Sequence, residues 1–74
     1  MESYKNLNGD SGVVEYEIGT EFVKVRFKGS KVYVYDYASA GTDNVEQMKA
    51  LAKKGTGLNS FINKKVRKKY SHIE

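Results

Sequence analysis

The stretch Glu21-Phe22-Val23-Lys24-Val25-Arg26-Phe27-Lys28-Gly29-Ser30-Lys31-Val32-Tyr33-Val34-Tyr35 decides the fold. Val23, Val25 and Phe27 alternate with Lys24 and Arg26, and Val32 and Val34 alternate with Tyr33, Tyr35 and Tyr37. A period of two is the mark of a strand with one face on a core. Gly29-Ser30 between the runs reads as a two-residue turn, with Gly supplying positive φ. Upstream, Val14, Tyr16 and Ile18 alternate with Glu15 and Glu17, and Gly19-Thr20 reads as a second turn of the same kind. Three antiparallel strands in a meander follow. With no Pro in the chain, every residue is able to join the ladders.

Two-residue turns fix the expected neighbours, because directly opposed residues share a face. One face then collects Val14, Tyr16, Val23, Val25, Phe27, Val32 and Val34 as the core. The other collects Glu15 beside Lys24 and Tyr35, Val13 beside Arg26 and Tyr33, and Glu17 beside Phe22 and Tyr37. A one-residue slip at the second turn would reverse the face that holds the tyrosines.

Beyond Ala38–Gly41 the period changes to that of a helix. Asp43 with Glu46 three residues on forms a capping-box pattern. Val45, Met48, Leu51 and Ala52 make an apolar stripe, and Gly55 is placed to end the helix. A second helix starts near Gly57 with Leu58, Phe61, Ile62 and Val66 as its stripe. Lys65 and Lys69 fall inside that stripe, so they snorkel or the helix ends before Lys69. The expected fold class is α+β, with two short helices packed on one face of the three-stranded sheet. Residues 1–11 read as a flexible leader, 12–70 as a single domain and 71–74 as a tail.

Composition narrows the function. The 74 residues allow one domain with a modest core. With no Cys, the chain holds no disulfide, cysteine nucleophile or Cys-ligated metal, and one His gives a metal site little to build on. No apolar run is long enough to span a membrane, so the cytoplasm is the expected compartment. Residues 1–48 carry a net −3 and residues 49–74 a net +7. A basic C-terminal third suggests a polyanionic partner, although lysine-rich helix surfaces also serve solubility.

Candidate chemistry is thin. Ser71-His72 are chain neighbours, which rarely point at each other, and catalysis needs a base aimed at its nucleophile. Glu15 and Glu17 stand roughly 7 Å apart on one strand face at about 3.4 Å rise per residue, a separation open to glycoside chemistry. A solvated face with Glu15 opposite Lys24 explains them better. The chain is expected not to be an enzyme, and neither cofactor nor metal is expected. Gly55-Thr56-Gly57 between two helices resembles a helix-hairpin-helix phosphate grip, with Lys53 and Lys54 beside it. The plainer reading is a helix cap.

Lys64, Lys65, Arg67, Lys68 and Lys69 put five cations within six residues, a segment suited to phosphate contacts or to a solvated helix end. Tyr33 and Tyr35 with Lys24 and Arg26 have the composition of a sheet on which single-stranded bases stack. The same tyrosines could belong to the core or to a protein-docking face. Two binding classes therefore stand open: RNA or DNA through these residues, or a protein partner through the tyrosine face or an open sheet edge.

The runs Glu15-Tyr16, Val23-Lys24-Val25-Arg26-Phe27 and Val32-Tyr33-Val34-Tyr35 resemble the KTSC domain, as does Gly55-Thr56-Gly57-Leu58-Asn59-Ser60-Phe61-Ile62 leading to Tyr70. That family stands alone in bacterial and phage proteins and closes some lysyl-tRNA synthetases. The likeness spans about residues 12–70. It departs at Asp36-Tyr37-Ala38, where the family has Val-Pro, and at Lys54, where it has Ser. Attachment to a tRNA ligase implies a role in RNA binding, by association.

Overall fold

In a computed structural model, which describes residues 1–7, 9, 12–29 and 31–74, the chain forms an antiparallel sheet with short helices packed on one face. Five strands follow in chain order across the sheet: β1 (Glu2–Ser3), β2 (Val13–Ile18), β3 (Phe22–Phe27), β4 (Val32–Asp36) and β5 (His72–Ile73). Between β4 and β5 lie α1 (Tyr37–Ala40), α2 (Thr42–Lys54) and α3 (Leu58–Phe61), the last running on into a π-helical turn over Ile62–Val66. The α+β class stands as the sequence predicts it. The strand count rises by two because both ends of the chain add short edge strands.

The central strands lie where the alternation puts them, but both hairpins pair in a different register. At the first, the Gly19 amide donates to the Phe22 carbonyl at 2.9 Å, so the turn residues are Thr20-Glu21 rather than Gly19-Thr20. Tyr16 then faces Val25 and Ile18 faces Val23. Phe22 covers Gly19: a Cβ on it would lie 2.0 Å from the Phe22 ring, so any other residue there would push that ring aside. A bulge between Val13 and Glu15 changes the side-chain phase. Val13 therefore joins the core at 2% exposure, and Val14, expected inside, stands out at 41%.

At the second hairpin, the Phe27 amide donates to the Lys31 carbonyl at 3.1 Å, so three residues rather than two make the connection. Ser30, assigned to this turn in the sequence, lies outside the described residues. The pairing becomes Val25 with Tyr33, Val23 with Tyr35 and Arg26 with Val32. This slip of one residue exchanges the faces of β4. Tyr33 and Tyr35 turn toward the helices, and Val32 and Val34 turn to the outer face beside Arg26 and Lys24.

The core lies between sheet and helices. Val13, Tyr16, Val23, Val25 and Tyr35 meet Val45, Met48, Ala52, Leu58, Ile62 and Val66. Each helix stripe is read correctly from its spacing. The caps differ. Asp36 caps α1 in a reciprocal box with Ser39: its carboxylate accepts from the Ser39 amide at 2.8 Å, and the Ser39 hydroxyl accepts from the Asp36 amide at 3.1 Å. These contacts hold the Asp36 carboxyl below its usual range. The expected box at Asp43 and Glu46 does not form. α2 starts two residues earlier, with Gly41 at its cap position and no side-chain cap, and Glu46 pairs instead with Lys49 at 2.8 Å and with the Tyr37 hydroxyl. Gly55 ends α2 in the left-handed region, φ +86°, as its position predicts.

The N-terminal segment, expected to be a flexible leader, is docked over its described residues. Glu2–Ser3 pair with β2, and Tyr4 is buried against the core. The Leu7 amide donates to the Gly55 carbonyl at 2.8 Å, so this segment lies across the turn between α2 and α3. At the other end, residues 72–73 extend the sheet beside β4, and Glu74 salt-bridges Lys24 at 3.0 Å. No helix among the described residues is long and apolar enough to cross a membrane.

Candidate functional site

The register settles which candidate residues share a surface. Lys24 and Arg26 project from the outer face, and Tyr33 and Tyr35 from the inner one, so the four do not form the stacking platform that their composition suggests. Tyr35 is 1% exposed and belongs to the core, and that burial, with Tyr33 and Tyr70 nearby, pushes its hydroxyl pKa far up. Tyr33, by contrast, is only partly buried. Lys24 and Arg26 are already engaged. Lys24 pairs with Glu74, and Arg26 Nε lies 2.8 Å from Glu15 Oε1, an ion pair set off the N–H direction.

The Gly55-Thr56-Gly57 turn is also occupied. A phosphate grip needs free amides at the start of the second helix. Here the Leu58 amide donates to the buried Tyr4 hydroxyl at 3.3 Å, and Lys5 packs on Gly55 so closely that a Cβ there would stand 2.7 Å from the Lys5 Cβ. The N-terminal segment thus lies against this turn and engages the first amide of α3. Lys53 and Lys54 remain exposed at the end of α2.

What the fold does build is a cleft of about 490 Å³ between the β3–β4 hairpin and the end of the helical segment. Phe27, Tyr33 and Tyr35 form one wall and Ile62 the other, with Asn63 at its margin. Lys28, Lys31 and Arg67 line the mouth, and among the described residues no acidic side chain does. The ring wall is braced edge to face: Phe27 to Tyr33 at 5.3 Å between centroids, Tyr33 to Tyr70 at 5.0 Å, and Tyr35 to Tyr70 at 6.4 Å. The π-helical turn matters to this arrangement. Ile62 and Val66 are buried along it while Asn63, Lys64 and Lys65 are exposed, the wider winding carrying Lys65 away from the Ile62 face. Lys65 therefore neither snorkels nor enters the core, and Lys69 lies beyond the helical segment.

The cations on this side have no carboxylate partners among the described residues. The salt bridges engage Lys24, Arg26, Lys49 and His72. Lys64, Lys65, Arg67, Lys68 and Lys69 are all exposed, and of these Arg67 lines the cleft together with Lys28 and Lys31. The sequence singled out the first five and passed over the hairpin pair. Lys28 and Lys31 flank a turn, and only the three-residue connection brings them to the same mouth as Arg67. Phe27 was assigned to the core, and its place on the cleft wall follows from the same register.

A second depression, also about 490 Å³, lies on the outer face among Phe22, Lys24, Val34, His72 and Glu74. Three of its polar side chains meet: Glu74 lies 3.0 Å from Lys24 and 3.5 Å from His72 Nε2, and Lys24, the main cause, holds the Glu74 carboxyl low. Ser71 Oγ stands 3.2 Å from His72 Nδ1, which completes a Ser-His-Glu chain of exposed side chains on an edge strand. Glu15 and Glu17 share the outer face, where Arg26 and Lys24 stand opposite them. No group of three or more His, Asp or Glu among the described residues is placed to hold a metal ion. No protein-family model, curated protein or solved structure matches this chain, so the site is read from its own geometry.

Proposed function

We propose that this protein is a non-catalytic nucleic-acid-binding module, with RNA as the first candidate, that docks through the cationic band on either side of the aromatic cleft. The observation that carries the reading is the set of exposed cations at and beside the cleft: Lys28, Lys31 and Arg67 line it and Lys64, Lys65, Lys68 and Lys69 are exposed on the adjoining segment, without carboxylates among the described cleft-lining residues. Unpaired surface cations of one sign draw in a polyanion and gain from the counterions it releases. The resemblance to the KTSC domain, with its place at the end of a tRNA ligase, supports the same partner class. Lys53 and Lys54 lie at the end of α2 and add to the positive field. Lys24 and Arg26 fall outside the interface, since each already has a carboxylate and faces the other way.

Fluorescence anisotropy with labelled single-stranded RNA, at about 50 and 200 mM salt, tests this. Four phosphate contacts give a log-log salt slope of about −2.8, so affinity drops roughly 50-fold between the two conditions. Charge reversal at Lys65 and Lys68, both exposed, weakens binding further. No binding by the folded protein at the lower salt, or binding that ignores salt, refutes the proposal.

A further inference from the structure

Resting on that reading, we propose that the cleft between the β3–β4 hairpin and the π-helical turn captures a single unpaired nucleotide: its base enters against Phe27 and Tyr33, and its phosphate is held by Lys28, Lys31 and Arg67. Three independent features converge on one such ligand. The volume, about 490 Å³, falls in the range of roughly 300–1,000 Å³ that suits a small-molecule-sized group and is too small for stacked pairs. The walls are aromatic and aliphatic, and every base has a π-face that stacks on such a surface whatever its sequence. The mouth carries three cations on two different elements and, among the described residues, no carboxylate, which matches an anion carried at the edge of a planar group.

The rings are also set in advance. Phe27 and Tyr33 meet at 88° and Tyr33 and Tyr70 at 80°, so Tyr33 is held between two neighbours and has little freedom left to lose on binding. Phe27 and Tyr33 are nonetheless only partly buried, which leaves ring surface for a ligand to cover. Asn63 is exposed at the margin and offers both a donor and an acceptor to the edge of a base. A duplex presents no free base face. It reaches the cationic banks but leaves the cleft empty.

The preference for an unpaired strand is therefore a separate prediction from binding itself. The test compares r(U)12, d(T)12 and a 12-base-pair RNA duplex on wild type, Phe27→Leu and Asn63→Leu. Phe27→Leu removes a ring from the wall. Asn63→Leu, at an exposed position that the fold does not need, fills the mouth with a side chain that has no stacking face. Wild type is expected to bind both single strands about tenfold or more tighter than the duplex. Each variant is expected to lose most of that margin while its duplex affinity stays put. The Tyr33 and Phe27 ring protons should shift upfield with r(U)12 and not with the duplex. Similar affinity for r(U)12 and d(T)12 fits capture by base and phosphate, and a large excess for one overturns that pairing of contacts. Equal affinity for duplex and single strands, or an Asn63→Leu protein that is folded by its amide spectrum and binds r(U)12 as wild type does, overturns the capture while nucleic-acid binding stands. Displacement of r(U)12 by O-phosphotyrosine at lower concentration than by uridine monophosphate would assign the cleft to a phosphopeptide instead. Absence of binding to all three nucleic acids would overturn the parent reading, a different result from any of these.

Discussion

Replacing Tyr4 tests whether the first residues belong to the fold. Tyr4 is 6% exposed, its amide donates to the Val14 carbonyl at 2.9 Å, and its hydroxyl accepts from the Leu58 amide at 3.3 Å. Tyr4→Phe keeps the ring and takes away only the acceptor, leaving a buried amide at the start of α3 without a partner. Such a loss costs about 1–2 kcal/mol. Tyr4→Ala removes the ring as well, at a cost of about 3–5 kcal/mol for a buried aromatic. A domain of this length has roughly 4–11 kcal/mol in hand, so the alanine variant spends a large part of it. Urea unfolding followed by far-UV circular dichroism reads both changes. With a slope near 1 kcal/mol per M for a small domain, Tyr4→Phe lowers the midpoint by about 1–2 M, and Tyr4→Ala brings it close to unfolding in buffer. An alanine variant whose midpoint stays within about 0.3 M of wild type would show that Tyr4 is not docked, and the argument that the N-terminal segment seals the Gly55–Gly57 turn would fall with it.

Gly55→Ala is expected to cost about 1–3 kcal/mol, because a left-handed φ of +86° and a Lys5 Cβ only 2.7 Å away act together. Gly57→Ala shares the positive φ, +84°, but its nearest neighbour is 3.5 Å off, so its midpoint in urea should fall less; the reverse order would refute the close approach of Lys5. Tyr35 gives a pH dependence. Its folded-state pKa is raised above the unfolded value near 10. Its contribution is therefore complete below about pH 10 and is lost as pH rises further, since unfolding then releases a proton that the folded state retains. Absorbance at the tyrosinate band should show a late ionisation step above pH 10 that Tyr35→Phe removes. A full titration of all six tyrosines in the folded protein would contradict its burial.

The elements were legible in the sequence, and their registration was not. Alternation at Val23–Phe27 and Val32–Tyr35, and the stripe Val45, Met48, Ala52, depend on side-chain period alone, which any burying face enforces. Register depends on single backbone hydrogen bonds at turns. Gly19-Thr20 and Thr20-Glu21 look equally able to turn until the Phe22 ring is seen to cover Gly19. At Lys28–Lys31 one additional connecting residue decides whether tyrosines or valines meet the helices. The tyrosines are there because β4 needs large side chains to reach across to Ile62 and Val66, whereas Val32 and Val34 on the outer face are covered by their cross-strand neighbours. Asp43 with Glu46 carried the capping signal for α2, and the reciprocal box forms instead at the start of α1. The local choice went to Asp36, where Ser39 answers it. The cationic segment was visible as composition. The cleft was not, since it joins a turn to a helix some 35 residues downstream.

The meander has a consequence for synthesis. β4 ends at Asp36 and β5 begins at His72, so the whole helical segment must be made before β4 receives its outer partner. At roughly 5–20 residues per second, that edge waits about 2–7 s on a growing chain. β2, by contrast, is born with its partner β1 already made. The nascent protein thus protects one border of its sheet from the outset and leaves the other open until its last strand arrives. An unfinished copy meeting another would pair along β4, where Ser71 and Glu74 later donate to the Val34 and Val32 carbonyls.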